Sequence, residues 1–128
     1  MRTLLLCLGL CLSLFACKKN DAATPDPQAI SIRVRNVSPY GFDAVLVNTS
    51  GGENAYGSLS AGQNSDYKSF ARAYSYAYLK VAVQGQELVR QPTDYVGEQL
   101  LAPGRYTYVV DVVNAANGKR LSLRLENP

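Results

Sequence analysis

Apolar and polar residues alternate along most of the chain beyond residue 29. Ile30-Ser31-Ile32-Arg33-Val34-Arg35 puts three aliphatic side chains on one side of an extended backbone and three polar ones on the other. That period of two predicts a half-buried strand. Phe42 to Val47 is apolar on both faces, through Ala44, Leu46, Val45 and Val47, which predicts a central strand. Tyr56 to Ser60 and Tyr67 to Phe70 predict two short strands. Tyr74 to Gln84 is the longest regular run, with Ala77, Leu79, Val81 and Val83 on one face and Tyr74, Tyr76, Tyr78 and Lys80 on the other. Glu87 to Gln91 follows a turn at Gln84-Gly85-Gln86. Arg105 to Asn114 carries Tyr106, Tyr108, Val110 and Val112 on one side. Lys119 to Leu125 alternates Leu121, Leu123 and Leu125 against Arg120, Ser122 and Arg124.

Turn chemistry separates these runs. Ser38-Pro39-Tyr40-Gly41, Gly51-Gly52, Ala61-Gly62-Gln63-Asn64 and Pro92-Thr93-Asp94 break the pattern, and Asn117-Gly118 is a hairpin signal. No proline falls inside a predicted strand, as a ladder of main-chain hydrogen bonds requires. One segment is open to a second reading. Tyr67, Phe70, Tyr74, Tyr78 and Val81 also fit helical spacing in an Ala-rich stretch, although the tyrosines and the alternation past residue 76 favour strands. About eight short strands in a hundred residues predict an all-β, Greek-key β-sandwich of 7–8 strands, because two sheets must cover each other's apolar faces. Leu101-Ala102-Pro103-Gly104-Arg105-Tyr106 resembles the tyrosine corner of such sandwiches, where a Tyr hydroxyl bonds back to main chain a few residues upstream.

The start of the chain follows different rules. Met1-Arg2-Thr3 carries one positive charge, and Leu4 to Ala16 is apolar apart from Gly9 and Ser13. As a helix that stretch spans about 20 Å, short of the ~30 Å hydrocarbon core, so it reads as a signal-peptide core rather than a membrane span. Leu14-Phe15-Ala16-Cys17 resembles the box of bacterial lipoproteins. The resemblance implies removal of residues 1–16, a lipidated Cys17 as first mature residue, and a palmitate-type anchor of two or three chains in the membrane. Two or more chains hold a protein stably on a bilayer, whereas one binds only marginally. Cys17-Lys18-Lys19-Asn20-Asp21 is similar to the mature start of lipoproteins of the Bacteroidota, and by the family rule Lys18 implies the outer membrane, with its periplasmic and surface faces both open. Residues 17–28 then form a flexible linker. Ala22-Ala23-Thr24-Pro25-Asp26-Pro27 opposes both helix and ladder, and the eleven residues from Lys18 to Gln28 reach at most about 36 Å. Residues 29–128 form the domain.

Composition narrows the chemistry. Cys7 and Cys11 would leave with the leader, so the mature domain holds no free thiol and no disulfide, which suits an oxidising compartment. There is no His, which excludes His-based triads and His-assisted zinc sites. A net charge of +3 on 18% charged residues gives no support for nucleic-acid binding by a basic face. Ser65-Asp66-Tyr67-Lys68 matches the Ser-x-x-Lys spacing of penicillin-recognising enzymes, but no Lys-Thr-Gly follows and chance explains the match. Asp43, Glu53, Asp66, Glu87, Asp94, Glu98 and Asp111 are dispersed, with no calcium-loop pattern. The expectation is a non-enzyme with no cofactor and no metal. A carboxylate pair meeting in space is the one enzymatic route the sequence leaves open.

The compositional excess is tyrosine, nine in 128 residues. Tyr74, Tyr76 and Tyr78 on one strand face would form an aromatic row able to stack on sugar rings or meet a protein. The plainer reading is a sheet face stabilised by cross-strand pairs. Val37-Ser38-Pro39, Tyr56-Gly57-Ser58-Leu59 and the Leu101 to Tyr106 segment are similar to uncharacterised immunoglobulin-like or transthyretin-like modules of Bacteroidota lipoproteins, a resemblance that implies no activity. The expected function is a membrane-anchored envelope protein that binds a protein or glycan partner, with a structural subunit of an envelope complex as the alternative.

Overall fold

The alternation of Ile30, Ile32 and Val34 with Ser31, Arg33 and Arg35 becomes the inner and outer faces of a sheet. In the computed structural model, which describes residues 28–93 and 98–127, eight strands and no helix are found among the described residues. One sheet has the order β4 (Lys68–Phe70), β1 (Ile30–Asn36), β7 (Gly104–Ala115), β8 (Gly118–Glu126). The other has the order β3 (Glu53–Ala55), β2 (Ala44–Asn48), β5 (Tyr78–Val83), β6 (Gln86–Arg90). The chain is therefore an all-β sandwich of two four-stranded sheets. It crosses between them at β1–β2, β3–β4, β4–β5 and β6–β7, as Greek-key connections do. β1 runs parallel to β7, with Ile30 opposite Gly104 and Asn36 opposite Val110, while the remaining neighbours are antiparallel.

Both inner faces are aliphatic. Ile32, Val34, Val47, Leu79, Val81 and Val110 are fully buried, each stabilising the fold by about 1.5–3 kcal/mol. Tyr108 lies among them, also fully buried, with its hydroxyl donating to the Tyr74 carbonyl at 2.6 Å. Every residue of the core cluster falls between Ile30 and Leu121, so a chain that starts at Lys18 keeps the whole described core.

Three strand predictions shift in position, and the Tyr74 run begins as a strand only at Tyr78. The Phe42 run starts two residues late, at Ala44, because Phe42 instead makes an isolated bridge with Leu59. That bridge also removes Leu59 from the predicted Tyr56 to Ser60 strand, and β3 forms earlier, at Glu53–Ala55. The helical alternative at 67–81 is not taken. β4 and β5 flank an irregular stretch there, in which Ala73 and Ala77 point inward and are fully buried.

Turns are fixed by side chains and by φ. Asn36 is buried and uses all its hydrogen-bonding capacity. Its Nδ2 donates to the carbonyls of Tyr40 and Leu59, and its Oδ1 accepts from the main chain and hydroxyl of Ser38. The β5–β6 hairpin turns on Gln84 and Gly85, both at positive φ (50° and 75°), the requirement of a two-residue type I′ loop. In the β7–β8 hairpin Ala115 pairs with Gly118 around Ala116 and Asn117, so the glycine of the Asn-Gly signal sits just past the turn, at φ 113°. The tyrosine corner is present. Tyr106, near the start of β7, donates its hydroxyl to the Ala102 carbonyl at 2.7 Å.

Candidate functional site

The outer faces of the two sheets differ in chemistry. On the second sheet, alternation turns Ala44 and Leu46 of β2, Lys80 and Ala82 of β5, and Ala55 and Glu87 at the edges outward. These line a shallow groove of about 240 Å³. Tyr78, the first residue of β5, is half-buried on this same face, opposite Asn48.

Tyr74 and Tyr76 do not continue that row as strand residues. They lie in the irregular segment before β5, because Ala73 and Ala77 are drawn into the core and Ala73 accepts a main-chain hydrogen bond from Leu101 at 2.9 Å. The tyrosines are turned to the outside between these anchors and lie half-buried. Their rings stack on each other, with centroids 6.2 Å apart and planes within 16°. Tyr76, with Arg90, Gln91, Pro92 and Thr93, lines an open depression of about 380 Å³ at the end of the second sheet. The three predicted residues thus divide into a stacked pair beside a depression and a single ring on the sheet face. Arg90 at this depression carried no signal in the sequence, because pairing of β6 with β5 is what brings it there. Cys17 lies outside the described residues.

The outer face of the first sheet is arginine-rich. β1 turns Arg33 and Arg35 outward, β7 turns Arg105, and β8 turns Arg120 and Arg124. Arg33 Nε donates to Thr107 Oγ1 at 3.0 Å, and both Arg33 and Arg105 lie over the Tyr67 ring, at 5.2 and 5.1 Å. Arg35 pairs with Glu126 at 3.1 Å and donates to Asn64 at 2.8 Å, and Arg124 reaches Glu126 at 3.5 Å. Thr107 and Val109 are buried on this outer face, Thr107 in register with Arg33 and Val109 with Arg35 and Arg124. Among the described residues, only Glu126 and Asp111 oppose the five arginines here. Elsewhere among the described residues Lys68, Arg72, Lys80, Arg90 and Lys119 are balanced by Asp43, Glu53, Asp66, Glu87 and Glu98. The net positive charge of the described part therefore sits on one sheet face.

Several tyrosines are structural. The Tyr56 hydroxyl donates to the Ile32 carbonyl at 2.8 Å, joining the two sheets. Burial, and secondarily the Tyr108 phenol, push Tyr56 well above the usual range for a phenol, so it stays neutral. Ser65 and Lys68 have structural partners too. The Ser65 hydroxyl accepts from Val34 N and donates to the Asp66 carbonyl, and Lys68 Nζ lies 5.9 Å from the centre of the Tyr56 ring. Ser65 stands in extended chain before β4, not at the helix start that the penicillin-recognising arrangement needs. Among the described residues no three acidic, Cys or His side chains come together in a way that could hold a metal.

No protein-family model and no curated protein matches the chain. Among solved structures the sandwich is similar to the NMR structure of a protein from Eubacterium rectale, with a TM-score of 0.57 and 12% identity, over 79% of this chain and 93% of that one. At that identity the likeness is one of fold.

Proposed function

We propose that the protein is a non-catalytic binding module of a bacterial cell envelope, tethered to the outer membrane through a lipid on Cys17, that takes a protein or glycan partner at the aromatic end of its second sheet. The observation that carries the binding reading is the stacked Tyr74–Tyr76 pair beside the depression that Arg90 lines. Paired phenol rings offer a rigid apolar platform for the C–H face of a sugar or for a partner's side chain, and the guanidinium supplies directional hydrogen bonds at its rim. The anchor reading is supported by Leu14-Phe15-Ala16-Cys17 and by a thiol-free sequence after residue 17.

Two experiments test the two halves. Crosslinking in intact cells, followed by identification of the captured partner, should lose its product in the Tyr74→Ser, Tyr76→Ser double variant while the thermal midpoint stays within a few degrees of wild type. Undiminished capture by the folded variant refutes the aromatic site. Metabolic labelling with a fatty-acid probe should mark the wild-type chain and not Cys17→Ala, and a labelled Cys17→Ala chain would refute the anchor position. A structural subunit is the second reading, favoured by Val89, 49% exposed on the edge strand β6. Capture that is lost on Val89→Lys but kept in the tyrosine variant would select it.

A further inference from the structure

We infer that the arginine face of the first sheet lies against the phosphate-bearing headgroups of an anionic bilayer, so that the aromatic end of the second sheet is held away from the membrane. This deepens the anchored-module reading by naming the surface that the sandwich rests on.

Three observations carry it. The first is segregation of charge. Five arginines face two acids on this sheet, and the remaining described side chains balance. The second is residue type. All five cations are Arg, while Lys68, Lys80 and Lys119 all lie elsewhere. A guanidinium presents a planar fork that grips phosphate oxygens through two hydrogen bonds, which an ammonium does not. The third is layout. Arg105 sits opposite Ser31 at the start of β1, and Arg120 opposite Val113 near the far hairpin. Eight residues of strand separate those positions, roughly 26 Å at about 3.3 Å each. Charge spread over such a strip matches a planar array of headgroups better than one small anion. Arg33 is already held along the sheet by its bond to Thr107, and Arg33 and Arg105 both lie over the Tyr67 ring, so these two side chains lose less freedom on contact.

The chain outside the described residues leads to this sheet. β1 is its second strand, and the segment before it, if lipidated at Cys17, reaches at most about 36 Å from its anchor. A bilayer under that tether meets the arginine face at high effective concentration, so a weak electrostatic contact suffices to orient the domain.

The test uses a chain that starts at Lys18, so its outcome is independent of lipidation, which the fatty-acid label reads separately. It is sedimented with vesicles of phosphatidylcholine alone, or with about a third phosphatidylglycerol, at low and high salt. The inference expects binding only to the anionic vesicles, lost at high salt as screening shortens. Each basic residue at an anionic surface is worth about fivefold in affinity, so Arg105→Gln, Arg120→Gln, Arg124→Gln together should weaken binding about a hundredfold. The charge-matched Lys68→Gln, Lys80→Gln, Lys119→Gln chain should bind nearly as wild type. Equal losses in the two triple variants, or no binding to anionic vesicles, overturn the inference. Tighter, face-dependent binding to duplex DNA than to the vesicles also overturns it, in favour of a nucleic-acid partner.

A second measurement leaves the arginines in place. A fluorophore on Ser122→Cys, on the outer face of β8, should be quenched by spin-labelled lipid in anionic vesicles, and one on Glu87→Cys, on the opposite sheet, should not. Equal quenching at both positions refutes the orientation.

Discussion

Gly51 shows how a single residue is fixed by its surroundings. A Cβ at this position would fall on the backbone and side chain of Arg72, where the loop after β2 presses against the chain leaving β4. The Ala71 main chain also donates to the Gly51 carbonyl at 3.0 Å, so neither segment can step aside without breaking that bond. Gly51→Ala should therefore destabilise by about 2 kcal/mol or more, read as a fall in the urea midpoint with an unchanged slope. Tyr56 gives a pH-dependent prediction. Folded, it holds its proton to higher pH than the free phenol, whose pKa is 10.0. Above about pH 10 the unfolded chain releases that proton and the folded one keeps it, so this residue favours unfolding by ~1.4 kcal/mol per further pH unit. Stability should fall as pH rises from about 10 to 11.5, and fall less steeply in Tyr56→Phe, in chemical denaturation at each pH. Equal slopes in the two chains would show that Tyr56 is not the group responsible.

At the scale of elements, the strands follow alternation and the turns follow local chemistry. The Tyr106 hydroxyl ties the start of β7 to Ala102, on the connection that brings the chain across from β6. Tyr106→Phe removes one hydrogen bond at an exposed site and should cost about 1 kcal/mol, seen in the thermal midpoint with the fold unchanged by circular dichroism. That pattern was legible because the Tyr, the turn residues and their spacing lie within six positions. The Tyr74 to Tyr78 row was not, although its alternation is regular. Periodicity shows that Ala77 and Leu79 point inward and Tyr78 outward, but the start of a strand depends on whether a neighbour pairs with it. β2 ends at Asn48, opposite Tyr78, and the ladder between β2 and β5 stops at that pair. Phe42 and Leu59 shifted for the related reason that each found the other, 17 positions away, and not the expected strand.

For the whole molecule the governing contact is long-range. β1 pairs in parallel with β7, so the first strand of the sandwich waits for one more than seventy residues later. Loop closure on that scale slows folding, and refolding from urea should occur in milliseconds to seconds rather than microseconds, measured by stopped-flow tyrosine fluorescence. The same pairing assembles the arginine face, since Arg33 and Arg35 meet Arg105, Arg120 and Arg124 only when β1, β7 and β8 lie side by side. Net charge concealed that face. A total of +3 looks dispersed in the chain and is concentrated in the fold.

Strand propensity, inward and outward faces, turn positions and the tyrosine corner are written in the order of residues, because each depends on neighbours within a few positions. Which strands pair, where each one stops, and which side chains share an outer surface depend on contacts across the chain, where every apolar face accepts any other of similar shape. Those choices settled when the described strands had to close one core together. The separation of an arginine-covered face from an aromatic end is their consequence.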